Sequence, residues 1–146
     1  MALRIKGEYR YGDTQEDIRD ELRRYSVLNG YEATRFADAV CVCGHKVFQL
    51  EMDEGAGVAV RLCMACNKRH PMGDSEAYME EAELEDYGCP CSEDQFELTV
   101  GVALYEASED VRWLYVGCRC PTCGLTANYG DWKNEFHGFR ALLDRI

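Results

Sequence analysis

Two pairs of cysteines, laid out twice in the same order, constrain this chain more than any other feature of its 146 residues. Cys41-Val-Cys43 is followed by Phe48 and Leu50, five and seven residues after the second cysteine. Cys89-Pro-Cys91 is followed by Phe96 and Leu98 at the same offsets. Further along stand Cys63-Met-Ala-Cys66 and Cys120-Pro-Thr-Cys123, each with a Gly-Asp pair (Gly73-Asp74 and Gly130-Asp131) seven residues beyond. Landmarks repeated at matching offsets mark an internal duplication. The copies differ mainly in the middle, where the second is nine residues longer, around Ala103 to Asp110.

Within each copy the apolar spacing is that of half-buried strands. Phe48, Leu50 and Met52 alternate with Gln49 and Glu51, Gly55-Ala-Gly57 breaks the run, and Val58, Val60 and Leu62 restart it. In the second copy Phe96, Leu98, Val100 and Val102 alternate, and Trp113 to Val116 returns after a hairpin loop at Glu106 to Asp110. A helix is expected after each copy. Asp74 or Ser75 would cap one running to about Asp86 with Gly88 closing it. Asp131 would cap the other, carrying Phe136, Phe139, Leu143 and Ile146.

Residues 1–40 lie outside the duplication. Leu3, Ile5, Tyr9 and Tyr11 alternate like a strand. Thr14-Gln-Glu-Asp17 resembles a capping box with Asp in the last place, and Ile18, Leu22 and Tyr25 mark one apolar helix face that ends at Asn29-Gly30. The expected fold is therefore α+β: an N-terminal strand and helix (1–40) packed on a first hairpin unit with its helix (41–88), and a second unit with its C-terminal helix (89–146). No long linker separates the copies, so they are expected to share a core.

The N-terminus lacks the continuous apolar stretch of a secretory signal, and no apolar run is long enough to span a bilayer; this reads as a soluble, cytoplasmic protein. In a reducing compartment clustered cysteines bind metal or do redox chemistry more often than they form disulfides, and nine is an awkward number for a disulfide framework. The pairs resemble those of zinc ribbons. Cys120-Pro-Thr-Cys123-Gly124 matches a zinc knuckle closely, Cys63-Met-Ala-Cys66 less fully, and both leading pairs depart from the pattern in being spaced Cys-x-Cys. The resemblance covers roughly residues 41–74 and 89–131 and implies metal-stapled hairpins, with no particular activity. It assigns one zinc ion to Cys41, Cys43, Cys63 and Cys66 and a second to Cys89, Cys91, Cys120 and Cys123. Closed four-ligand sites of this kind are structural. Cys118 is left over and reads as a small buried hydrophobe. His45 and His70, the latter four residues after Cys66, are the alternatives that could replace a cysteine ligand.

The formal net charge of -11 is uneven. From Pro71 to Val111 there are thirteen acids and no Lys or Arg, and the rest of the chain is slightly basic. Such a field repels nucleic-acid backbones and favours basic partners. The candidate contacts are Glu80, Glu81, Glu83, Glu85 and Asp86 on the expected middle helix, with Glu106, Glu109 and Asp110 on the longer loop. The expected function is a non-enzymatic, zinc-stabilised module that binds a basic protein, similar in general character to immunity and antitoxin proteins. A transcription or translation accessory ribbon is the alternative. Direct nucleic-acid binding is not expected, since the one basic cluster, Arg19, Arg23 and Arg24, is diluted by Glu16, Asp17, Asp20 and Glu21.

Catalytic signatures are absent from the sequence: there is no Gly-x-Ser-x-Gly, phosphate-binding glycine loop or His-Glu-x-x-His. Cys91-Ser-Glu93 with Cys120-Pro-Thr-Cys123 superficially resembles the zinc deaminases, where the Glu serves as general acid/base. That family opens a helix at its Cys-x-Glu, whereas alternation here indicates a strand, and Arg119 replaces the proline before Cys-x-x-Cys.

Overall fold

The structure, a computed structural model, describes residues 3–146. The chain is mixed, with many strands and few helices. Its N-terminal run forms a small hairpin of β1 (Arg4–Lys6) and β2 (Tyr9–Tyr11), turned at Gly7 with φ +66°. Helix α1 (Glu16–Asn29) starts and stops where the sequence signals. The buried Asp17 carboxylate accepts the N–H groups of Asp13 at 2.7 Å and Thr14 at 3.1 Å, and Gly30 ends the helix at φ +88°.

Two four-stranded antiparallel sheets follow. One runs in the order β6 (Arg69–Pro71), β5 (Val58–Cys63), β4 (Phe48–Asp53), β7 (Glu85–Asp86); the other in the order β10 (Thr126–Lys133), β9 (Val111–Arg119), β8 (Glu97–Leu104), β3 (Arg35–Asp38). Each copy supplies three consecutive strands of its own sheet. The fourth is exchanged: β3, which leads into the first copy, pairs with β8 of the second, and β7, which leads into the second copy, pairs with β4 of the first. The registers match. Asp38 stands opposite Thr99 and Asp86 opposite Glu51; Ala39 donates its N–H to Leu98 O at 2.9 Å, and Tyr87 donates to Leu50 O at 3.0 Å. The structural repeat therefore begins before the cysteines. The sequence shows this only as an Asp three residues ahead of each Cys-x-Cys and an apolar residue, Phe36 or Leu84, two places earlier.

The second sheet is a middle layer, buried on both faces. Leu98, Val100, Val102, Leu114 and Val116 join Phe48, Leu50, Met52 and Phe96 in one core shared by both copies. On the opposite face Ala103 and Tyr115 pack with Ile18 and Leu22 of α1. Period-2 alternation puts these two sets on opposite sides of the same strands. Gly117 lets the helix approach: a Cβ there would lie 2.4 Å from Ile18 Cγ2. The expectation that residues 1–40 pack on the first unit is corrected. Helix α1 lies on β8, β9 and β10, and Tyr11 bridges to Leu125 of the second unit.

Both expected post-repeat helices are also corrected. After the first copy only a 3-10 helix forms, Ser75–Glu81, stapled to the sheet by Ser75 Oγ accepting the Ala59 N–H at 2.9 Å. A helix to Asp86 would set Glu76 against Glu80 and Glu81 against Glu85 without a cation between them, and the edge of β4 offers Glu85 and Asp86 main-chain partners instead. After the second copy, Asp131 lies within β10, because the long β9 presents Tyr115, Leu114 and Trp113 to Asp131, Trp132 and Lys133. Only Phe139–Leu143 turns into a helix, α2, with Phe139, Leu142 and Ile146 in the core.

Candidate metal centres

The eight cysteines gather into the two predicted sets. In each, one sulfur atom from each of Cys41, Cys43, Cys63 and Cys66, or of Cys89, Cys91, Cys120 and Cys123, lies within 4.8 Å of the other three. The pairing is duplicated. First and fourth cysteines approach to 3.5 Å (Cys41–Cys66) and 3.6 Å (Cys89–Cys123); second and third approach to 3.6 Å (Cys43–Cys63) and 3.7 Å (Cys91–Cys120). A tetrahedron with metal–sulfur bonds of about 2.3 Å has edges of about 3.8 Å, so each set fits a single ion. All nine cysteines are unbridged.

The turns that carry the thiols are also duplicated. Cys41 and Cys89 donate N–H to the carbonyls of His45 and Glu93, at 2.9 and 2.7 Å; Cys63 and Cys120 donate to those of Lys68 and Leu125, at 3.0 and 2.9 Å. The residue after each pair, Gly44, Asn67, Ser92 and Gly124, has positive φ. N–H groups within and just after the trailing pairs point at sulfur. Ala65 donates to Cys63 Sγ and Leu125 to Cys123 Sγ, each at 3.4 Å. The Cys43 N–H pulls the Cys41 thiol down to about 6, and the Glu93 N–H lowers Cys91. Cys43 rises to about 11 despite the His45 N–H, because burial and the surrounding thiols favour its proton. Burial likewise raises Cys89 and Cys123. Each tetrad thus mixes groups ready to be thiolates with groups that need an ion to lose their protons.

The remaining candidates fall outside the tetrads. The His45 side chain joins neither tetrad, and His70 Nε2 lies 2.7 Å from Arg145 O. Cys118 is fully buried in β9, and burial pushes its thiol far up. Glu93 is exposed on the turn before β8, not on a helix. Arg19, Arg23 and Arg24 are each paired, with Asp38, Asp20 and Glu21.

The proposed contact acids are dispersed. Glu80 and Glu81 end the 3-10 helix, Glu83 follows it, and Glu85 and Asp86 form β7; all five are exposed, and none has an ion-pair partner among the described residues. On the β8–β9 loop Glu106 is also unpaired, but Glu109 meets Arg140 at 2.8 Å, and Asp110 holds His137 at 3.2 Å and the Gly138 N–H at 3.0 Å. Sequence reasoning missed a cleft of about 830 Å³ between the 3-10 helix and the C-terminal segment, walled by His70, Asp74, Glu76, Tyr78, Glu135 and Phe136. Residues some sixty positions apart build it, so no local pattern could reveal it. No helix among the described residues is long and apolar enough to cross a membrane. No protein-family model, curated protein or solved structure matches this chain.

Proposed function

We propose that the chain is a zinc-stapled, non-enzymatic module of duplicated zinc-ribbon character that binds a basic protein, in the manner of an immunity or antitoxin-type inhibitor. The carrying observation is a separation of roles. The thiols are turned inward on one another in two closed tetrads, while the acids from Asp74 to Asp86 are left largely without cationic partners on the surface. Four thiolates are a donor set that favours zinc, and a closed shell leaves no position for substrate. The cleft beside the 3-10 helix sets three carboxylates, Asp74, Glu76 and Glu135, against the single Arg145, with His70, His137 and the 49% exposed Tyr78 on the same walls, and this excess of acid supports insertion of a lysine or arginine side chain from the partner.

Native mass spectrometry of reduced protein is expected to find two zinc ions per chain, and chelation to unfold it. The binding role is tested with immobilised zinc-loaded protein and a variant reversing Glu80, Glu81, Glu83, Glu85 and Asp86 to Lys. A basic protein retained by the wild type, lost by the variant and weakened steeply by salt fits the reading. Salt-dependent retention of nucleic acid by the wild type would favour the accessory-ribbon alternative instead.

A further inference from the structure

The two tetrads share a backbone but not the charge behind it. Two residues before the third cysteine stands Arg61 in the first copy and Cys118 in the second. They occupy equivalent places in the sheets, opposite Leu50 and Leu98, and both are buried, at 5% and 0% exposure. Arg61 lines a small cavity together with Cys41, its guanidinium carbon lies 4.7 Å from the centre of the Phe48 ring, and its Nε–H donates to Ile146 O at 2.8 Å. Cys118 lies in the same core cluster as Cys89, the counterpart of Cys41, and brings no cation.

The outer turns differ in the same sense. His45-Lys46 follows the first leading pair where Glu93-Asp94 follows the second, and Lys68 stands after the first knuckle where Leu125 stands after the second. Arg119, the cation beside Cys120, is committed to Glu97 at 2.8 Å and to Gly12 O at 3.0 Å. A divalent ion held by four thiolates leaves a centre of charge -2 in formal terms, and burying that charge is costly unless cations and N–H groups compensate it. Each centre has an N–H donor on one of its sulfurs, Ala65 on Cys63 in the first and Leu125 on Cys123 in the second, whereas the buried Arg61 has no counterpart cation at the equivalent place in the second.

We propose that the two centres are unequal: the Cys41 tetrad holds its ion firmly, and the Cys89 tetrad is the exchangeable one, giving up a zinc-class divalent ion first to a competing chelator. The inference rests on both tetrads binding metal. It also gives the exchange a structural output, because the second knuckle holds the N-terminal segment. Gly12 donates its N–H to Gly124 O at 2.8 Å, Tyr11 bridges to Leu125, and Arg119 donates to Gly12 O. Emptying that tetrad loosens the β1–β2 hairpin and the start of α1, while the first knuckle and the C-terminal carbonyl stay joined through Arg61.

The test takes the full chain, reduced and zinc-loaded, and titrates it with EDTA while native mass spectrometry follows ion count. N-ethylmaleimide marks freed thiols at the one-ion stage, and amide hydrogen exchange follows Gly12. The expected result is a one-ion species labelled at Cys89, Cys91, Cys120 and Cys123, protected at Cys41, Cys43, Cys63 and Cys66, with faster exchange at Gly12. The second centre is expected to lose its ion about 10- to 100-fold more readily, the range by which residues behind a ligand shell tune metal affinity. Arg61→Met is expected to narrow the difference and Arg61→Lys to keep it. Two ions lost together, or first from the Cys41 tetrad, overturn this inference alone. A folded chain that starts with no ion overturns the metal reading as well.

Discussion

Phe48 and Phe96 exchange both main-chain hydrogen bonds, each N–H reaching the other's carbonyl at 2.8 Å. They are the same position of the two copies, five residues after the second cysteine, so this pair lies at the centre of the duplication. Both rings are fully buried in the shared core. Exchanged leading strands on either side of this pair make the copies interdependent. Truncation of either residue to Ala is expected to cost about 3–5 kcal/mol. Urea denaturation followed by far-ultraviolet circular dichroism is expected to show a single transition in the wild type and in both variants; two separate transitions would contradict the shared core.

Ser92 adopts φ +81° where the first copy has Gly44 at φ +91°. An L-residue in this region carries a steric cost that glycine avoids. Ser92→Gly is therefore expected to stabilise the metal-loaded protein by about 1 kcal/mol, and Gly44→Ser to destabilise it by a similar amount. Thermal midpoints at fixed metal content measure both.

Gly117 is where helix α1 touches β9 most closely. A Cβ there would also lie 3.0 Å from Leu22 Cγ and Cδ2, so the helix must shift to accept one. Gly117→Ala is expected to cost about 1–3 kcal/mol or more, the range for overpacked cores. It should speed hydrogen exchange across α1 while leaving the first sheet protected. Unchanged exchange in α1 would mean that the helix is not seated as described.

Burial raises the Asp74 carboxyl above its ordinary value, against the opposing effects of the Asn134 hydrogen bond (3.0 Å) and of Arg145. A raised carboxyl binds its proton better in the folded than in the unfolded chain. Its favourable contribution is complete below the unfolded value of about 3.9 and is lost as pH rises through the folded one. At neutral pH the charged group is thus a burden on stability. Asp74→Asn is expected to raise the melting temperature at pH 7 and to weaken capture of a cationic partner at the cleft. A lower melting temperature at that pH would show that the carboxylate is needed for folding itself.

The eight thiols and their division into two sets are legible in residue order alone, because the spacing of paired cysteines is a local property of a turn. The strand pairs around Phe48 and Phe96 and the limits of α1 are legible in the same way, where period and capping residues agree. What lies between and around them depends on long-range packing. Asp131 carries the same Gly-Asp signature as Asp74, yet it sits in a strand because β9 extends far enough to pair it. Glu85 and Asp86 leave the helix that propensity favours because the open edge of β4 satisfies their main chain. The exchange of β3 and β7, the seat of α1 on the second sheet, and the placing of Arg61 behind one tetrad and Cys118 behind the other all depend on contacts between residues distant in the chain. Pairing energy between remote segments leaves no periodic trace in either segment alone, so only the folded molecule records it.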